Sequence, residues 1–272
     1  MAYELLVMDL DGTLTNSEKK ITKKTKEALF RIQKEGIHIA LASGRPTPGV
    51  TGLAKELELE NYGGYILSYN GAHVMRMDTK EVIFQNVIPK ELIEPLYQAA
   101  LAAHVGILSY SSDEIISGTK PDMYMQLESK ITGLPIHQVE NFSEFIDFPI
   151  NKCMMTAEGS YMEQVLQEMQ EKFPELNLFR SEPYYLEVMP KEIDKAYSLS
   201  RLLEYIGLNR KQMICCGDGY NDISMIRYAG LGVAMANAQP EVKKEANYIT
   251  ASNDEDGIVQ VIEKFIENDF YL

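Results

Sequence analysis

Asp9 and Asp11 stand two residues apart in "LLVMDLDGTLT", where the apolar run Leu5 to Met8 breaks off into two carboxylates, a glycine and a threonine. Residues i and i+2 of a strand share a face, so the two acids start on one side and repel each other. A hard divalent cation would remove that repulsion. With Asp218 of "GDGYND" (Gly217 to Asp222) as a third acid, the set suits Mg²⁺, which takes carboxylate oxygens, waters and substrate phosphate oxygens. A calcium loop of the EF-hand type does not fit: counted from Asp9, Leu14 stands where glycine is needed and Lys20 where glutamate is needed. A carboxylate beside such a metal can attack phosphorus and form an aspartyl-phosphate. Two approaching anions resist this, each unit-charge pair at ~4 Å costing about 1–4 kcal/mol, so the chemistry requires the metal and a lysine to offset them. Asp11 can then protonate the leaving oxygen and later deprotonate the attacking water.

The elements that must position these residues are readable in the hydrophobic pattern. Thr22 to Glu35 reads as a helix, capped by Thr22, with Ala28, Leu29 and Ile32 on one face and Gly36 as its stop. Ile37 to Ala42 follows as a second buried strand, which makes a right-handed βαβ unit ending in Ser43, Gly44 and Arg45. Tyr65 to Tyr69 runs into Asn70 and Gly71, and "HVMRMDTKEVIFQNV" reads as paired strands about an Asp78-Thr79 turn. The same rhythm returns with a helix from Asp194 to Ile206, strands in "QMICC" and "GLGVAMAN", and a closing helix from Glu255 to Ile266. In between, helical stretches (Pro89 to Ala103, Ser160 to Lys172) alternate with short strands. The expected fold class is α/β: a Rossmann-like parallel-sheet core domain, residues 1–83 and 186–272, interrupted by an inserted α+β domain, residues 84–185. Sites in open parallel sheets form beyond the carboxyl ends of the strands. Four polar clusters fall at such ends: Asp9 to Thr13, Ser43 to Arg45, Lys195 at a helix start, and Gly217 to Asp222.

Lys and Arg number 26 against 40 Asp and Glu in 272 residues, a net charge of -14, which repels nucleic acid and anionic membrane alike. An anionic substrate therefore needs a local cationic site. No apolar run approaches the ~20 residues that span a bilayer and no signal-peptide pattern opens the chain, so a cytoplasmic location is expected. Cys153, Cys215 and Cys216 are odd in number, and two are adjacent in an apolar run, so they read as small buried hydrophobes.

In this order and spacing, "DLDGTL", "SGR", a downstream lysine and "GDGYND" resemble the four motifs of the haloacid dehalogenase superfamily, of its phosphatase kind. The α+β insertion between the second and third motifs is similar to the C2 cap of Cof-type sugar phosphatases, and the likeness runs from Met1 to the C-terminal helix. The resemblance implies that Asp9 is the nucleophile and a Mg²⁺ ligand. It makes Asp11 the general acid/base, lending its main-chain carbonyl to the metal, and Asp218 the third protein ligand. Ser43, the Gly44 and Leu10 amides, Lys195 and Asn221 would hold the phosphoryl oxygens, while Asp222 would orient Lys195 or a metal-bound water. Arg45, Asn70 and Gly71 would face the region where the cap closes on the substrate. One departure is that Ala196, instead of the family's usual glycine, follows the lysine. Lys191 is a rival, but Lys195 starts the apolar-periodic helix (Ala196, Leu199, Leu202, Leu203), where the family's lysine lies. The implied activity is Mg²⁺-dependent hydrolysis of small phosphorylated metabolites, sugar phosphates first, through an aspartyl-phosphate, with the cap setting specificity. Two alternatives stand beside it. A sugar phosphomutase would call for more cationic residues in the insertion than Lys90, Lys120, Lys130, Lys152, Lys172 and Arg180. A non-catalytic phosphometabolite-binding protein would be expected to lack a nucleophile or a ligand, and here none is missing.

Overall fold

The computed structural model describes residues 3–267; the ends of the expected core ranges, 1–2 and 268–272, lie outside the described residues. The chain opens with β1 (Leu5–Met8), α1 (Lys23–Lys34), β2 (His38–Ala42), α2 (Thr47–Glu56), α3 (Leu59–Tyr62), β3 (Tyr65–Ser68), β4 (His73–Arg76) and β5 (Val82–Gln85). There follow α4 (Lys90–Ala102), β6 (Gly106–Tyr110), β7 (Ile115–Ser117), α5 (Met123–Thr132), β8 (Ile136–Gln138), α6 (Phe142–Phe145), β9 (Cys153–Thr156), α7 (Gly159–Lys172), β10 (Leu176–Glu182) and β11 (Tyr185–Pro190). It closes with α8 (Lys195–Ile206), β12 (Met213–Gly217), α9 (Ile223–Tyr228), β13 (Leu231–Ala234), α10 (Pro240–Glu245), β14 (Tyr248–Ile249) and α11 (Gly257–Phe265).

The first and last groups build one eight-stranded sheet in the order β14-β13-β12-β1-β2-β3-β4-β5. From β14 to β3 all neighbours are parallel, and β4 turns antiparallel onto β3. β1 lies between β12 and β2 and is buried on both faces. Leu6 and Met8 face one apolar layer, shared with Ala28, Leu29 and Ile32 of α1 and Val261 and Ile262 of α11. Leu5 and Val7 face the other, shared with Leu199, Leu202 and Leu203 of α8. Such a strand must be apolar throughout, as parallel strands covered by helices are, and so its polar residues are confined to its end. Thr22 caps α1, its hydroxyl accepting from the Thr25 amide at 3.1 Å, and Asp194 caps α8 in the same way.

The remaining strands form a second sheet, β10-β11-β9-β6-β7-β8, antiparallel except for the β7–β8 pair, with its own apolar core. The two units part between Phe84 and Gln85 and again between Glu192 and Ile193. The expected boundary after residue 185 is thereby corrected to Glu192, because β11 pairs with both β9 and β10 and belongs to the second sheet. The first boundary moves by one residue, from 83 to Phe84. Among the described residues no helix is long and apolar enough to cross a membrane, and the three cysteines are free and buried.

Beyond β3 the chain enters a turn in which Tyr69, Asn70 and Gly71 all have positive φ (53°, 54° and 96°). A Cβ on Gly71 would meet the Ser198 Cβ at 2.8 Å and the Asp194 carbonyl at 3.1 Å. Gly71→Ala is therefore expected to lower stability by about 1–3 kcal/mol, measured from the midpoint of urea unfolding.

Candidate active site

At the end of β1 the Asp9 amide still donates to the Cys216 carbonyl of β12, at 3.0 Å, and then the chain turns away. The Thr13 and Thr15 amides fold back onto the Leu10 carbonyl, at 3.4 and 2.9 Å. Gly12, with φ of 90°, is the residue against which Asp218 packs; a Cβ there would lie 2.8 Å from the Asp218 carboxyl carbon. Thr13 donates its hydroxyl to Asp218 Oδ1 at 2.7 Å. Beyond β12, Asp222 Oδ2 accepts the amides of Asp218 and Gly219, both at 2.9 Å, which closes that loop on itself.

Lys195, the first residue of α8, is wholly buried. Its Nζ donates to Asp9 Oδ1 at 2.6 Å, to Asp222 Oδ1 at 2.6 Å and to the Ala42 carbonyl at 2.9 Å, so each ammonium proton has an acceptor. The rival Lys191 is exposed and belongs to the second unit. Asp9, Asp218 and Asp222 offer oxygens within 4.8 Å of one another. One ammonium against three carboxylates leaves excess negative charge. Burial, then the charge of Asp222, push Asp9 up to about 8, against the opposing pull of Lys195. Burial likewise pushes Asp218 up to about 6. For Lys195 burial alone would lower the pKa, but Asp222 and Asp9 outweigh it and the ammonium is held above its ordinary value. Hard oxygen donors with surplus negative charge fit a divalent cation such as Mg²⁺. Asp222 has both oxygens engaged, whereas Asp9 Oδ2 and Asp218 Oδ2 accept no hydrogen bond among the described residues.

The Asp11 carboxylate is not part of this cluster. Its Oδ2 accepts from Arg45 Nε at 2.8 Å, and its Oδ1 from Arg45 Nη2 at 2.7 Å and Lys19 Nζ at 2.8 Å. The reading of Asp9, Asp11 and Asp218 as three carboxylates around one cation is corrected accordingly. Regular strand ends at Met8, so the rule that i and i+2 share a face no longer governs Asp9 and Asp11. Burial opposes ionisation of Asp11, but the hydrogen bonds and charges of Arg45 and Lys19 outweigh it and hold the carboxyl below its usual range.

At the end of β2, Ser43 is buried; its amide donates to the Leu67 carbonyl at 2.8 Å and its hydroxyl accepts the Arg45 amide at 3.1 Å. The Asn70 amide returns to the Ser43 carbonyl at 2.9 Å, and Asn221 Nδ2 donates to Asn70 Oδ1 at 3.0 Å. Gly44 lies under Asn70, where a Cβ would stand 3.1 Å from Oδ1. Gly71 accepts the Ser198 hydroxyl on its carbonyl, at 2.6 Å. The amides of Leu10 and Gly44 find no acceptor among the described residues. An amide without an acceptor is costly unless a ligand or water completes it, so each is open to one. Three participants escaped the sequence reading: Thr13, Lys19 and the Ala42 carbonyl. Thr13 lay within a recognised motif, but no local pattern marks Lys19 as a partner of Asp11.

In the metal-free protein, Asp9 and Asp218 bind protons more tightly folded than unfolded. Their contribution to stability is therefore full below the unfolded value of about 4 and is lost as pH rises through about 6 and about 8. Excess Mg²⁺ is expected to raise the melting temperature more at about pH 8 than at about pH 5. Thermal unfolding in magnesium and in chelator at each pH measures it.

The family model described as haloacid dehalogenase-like hydrolase matches residues 6–262. YxeH of Bacillus subtilis (strain 168) is 31% identical, over 97% of this chain and 98% of that protein. The crystal structure of a haloacid dehalogenase-like hydrolase from Bacteroides thetaiotaomicron is 47% identical and superposes with a TM-score of 0.93, covering 96% of this chain and 99% of that one. The structure of the HAD subclass IIB sugar phosphatase BT4131 is 27% identical, with a TM-score of 0.80 over 96% of this chain and 98% of that one. The matched span contains all four polar clusters and, but for Leu5, every strand of both sheets, and the chain belongs to the haloacid dehalogenase-like hydrolases, as a phosphatase of that family.

Proposed function

We propose that the protein hydrolyses phosphate monoesters of small metabolites, sugar phosphates foremost, with Mg²⁺ as cofactor and with Asp9 carrying the phosphoryl group between two steps. The observation that carries the reading is the buried Lys195, which ties down Asp9 Oδ1 and leaves Oδ2 without a donor among the described residues. A carboxylate so held has one oxygen aligned as a nucleophile and a neighbouring cation to offset the charge of an incoming phosphate. The sugar part of the proposal rests on BT4131, a sugar phosphatase by name.

In the first step Asp9 Oδ2 bonds to phosphorus while the bond to the ester oxygen breaks, and Asp11 gives that oxygen its proton. In the second, water attacks phosphorus, Asp11 takes a proton from it, and the Asp9 carboxylate departs from inorganic phosphate. Leu10 and Gly44 amides, the Ser43 hydroxyl, Asn221 and Lys195 hold the phosphoryl oxygens, and Asp222 keeps Lys195 charged and in place. Asp9, Asp218 and the Asp11 carbonyl would hold Mg²⁺, which when bound neutralises charge on the phosphoryl group. Asp11 must release Arg45 and Lys19 before it can act, since a carboxylate gripped by two cations gives up no proton. Arg45, once released, joins Asn70 in contacting the organic part of the ester, with Gly71 shaping their turn. Choice among substrates is assigned to the second unit, Gln85–Glu192.

Purified protein with Mg²⁺ is expected to release phosphate from p-nitrophenyl phosphate and from several sugar phosphates, and chelator to stop it. Asp9→Asn should lose roughly 10³-fold or more in turnover with its circular dichroism unchanged; retained turnover would rule out the covalent route. Lys195→Met should lose activity and about 3–5 kcal/mol of stability, because it strands buried carboxylates without their counter-charge. Lys191→Met should do neither, and if it alone abolishes turnover the lysine assignment is wrong.

A further inference from the structure

The loop carrying Asp11 leaves the sheet after Met8, and two of its carbonyls are satisfied by side chains from the far end of the sequence. Asn237 Nδ2, beyond β13, donates to the Gly12 carbonyl at 2.8 Å. Asn253 Nδ2, ahead of α11, donates to the Thr15 carbonyl at 2.9 Å. The two asparagines are joined, the Asn253 amide donating to Asn237 Oδ1 at 3.1 Å. Asp254 then accepts the amide and hydroxyl of Ser17, at 2.8 and 2.6 Å. Ser17 lies in the turn closed by the Asn16 and Lys20 main chains, and that turn presents Lys19 to Asp11.

These ties bear on the main chain directly after Asp11 and on one of the two cations that grip its carboxylate. Arg45 holds the same carboxylate from the β2 end. The loop is thus tied after Asp11 by Asn237 and Asn253 and before it by the Asp9 amide on the Cys216 carbonyl of β12. We propose that Asn237 and Asn253 are positioning residues for Asp11. They fix the loop so that the carboxylate trades Arg45 and Lys19 for the substrate by side-chain rotation alone, and returns to one place for both proton transfers. The inference rests on the hydrolytic reading above. Its physical basis is that proton transfer needs the acid within hydrogen-bond reach, and that displacements of ~1 Å can cost ~10²-fold.

The test is single-turnover release of the leaving group from phenyl phosphate, which needs its oxygen protonated, and from p-nitrophenyl phosphate, which needs this far less. Asn237→Ala and Asn253→Ala are each expected to slow phenyl phosphate about tenfold, with KM within about twofold, and p-nitrophenyl phosphate much less. Asn237→Asp, which keeps the acceptor for Asn253 but loses the donor to Gly12, should behave as Asn237→Ala. In an Asp11→Asn background the asparagine substitutions should add no further loss, since coupled residues are not additive. Equal slowing of both substrates, full additivity with Asp11→Asn, or wild-type rates would each overturn the proposal. So would unfolding of both alanine variants, which would make the ties purely structural. A wild-type protein that hydrolyses neither ester would instead overturn the hydrolytic reading itself.

Discussion

The ammonium of Lys195, sealed from water between Asp9 and Asp222, is the constraint around which the core unit is arranged. A buried charge is tolerated only when its partners satisfy it, and each of its three acceptors comes from a different place: the end of β1, the end of β2 and the loop after β12. That convergence is possible because β12, β1 and β2 are adjacent parallel strands whose carboxyl ends open on the same side, with α8 starting there. A buried ion pair is a poor source of net stability, and an apolar replacement of the same volume often does as well. A site assembled so deliberately around one is better understood as a way of holding Asp9 still.

The same site is under-compensated by design. Its carboxylates outnumber its ammonium, two of their oxygens and two amides have no partner among the described residues, and three consecutive residues of the neighbouring turn have left-handed backbone. Each of these raises the free energy of the ligand-free protein. A cation and a phosphate dianion together would complete all of the electrostatic and hydrogen-bonding deficits, since the first answers the oxygens and the second the amides. The strained turn is the exception; it is held by main-chain bonds to Ser43 and Arg45 and by Ser198.

The Asp11 carboxylate is engaged by two cations, Arg45 and Lys19. Its fork-like pairing with Arg45, reinforced by Lys19, competes with the role the covalent mechanism assigns to it. These pairs are partly exposed, and ion pairs open to water are weak enough to be exchanged.

The amino-acid pattern by itself determined the elements whose burial imposes a period. β1, β2 and β12 are short apolar runs, and α1 and α8 have capped ends and one apolar face, because each lies in the sheet or packs on it. It also determined which polar residues stand at strand ends and at the start of α8, and so Asp9, Ser43, Asp218 and Asp222 together with Lys195. It did not reveal α2, whose "TPGVTGLAKE" holds a proline and two glycines and is helical through the burial of Val50 and Ala54. Nor did it reveal β14, two residues long and too short for any period; β11 was legible as a strand of the insertion, but the boundary set at 185 cut through it. Tertiary structure alone decided that Asp222, and not Asp11, shares the buried cluster with Asp9 and Asp218, and that Asn237 and Asn253 reach the Asp11 loop. The reason is physical: periodicity records which face of an element meets the core, whereas the direction of a side chain beyond the end of a strand depends on partners that no period marks, as Lys19 and Arg45 are for Asp11 and Lys195 is for Asp9.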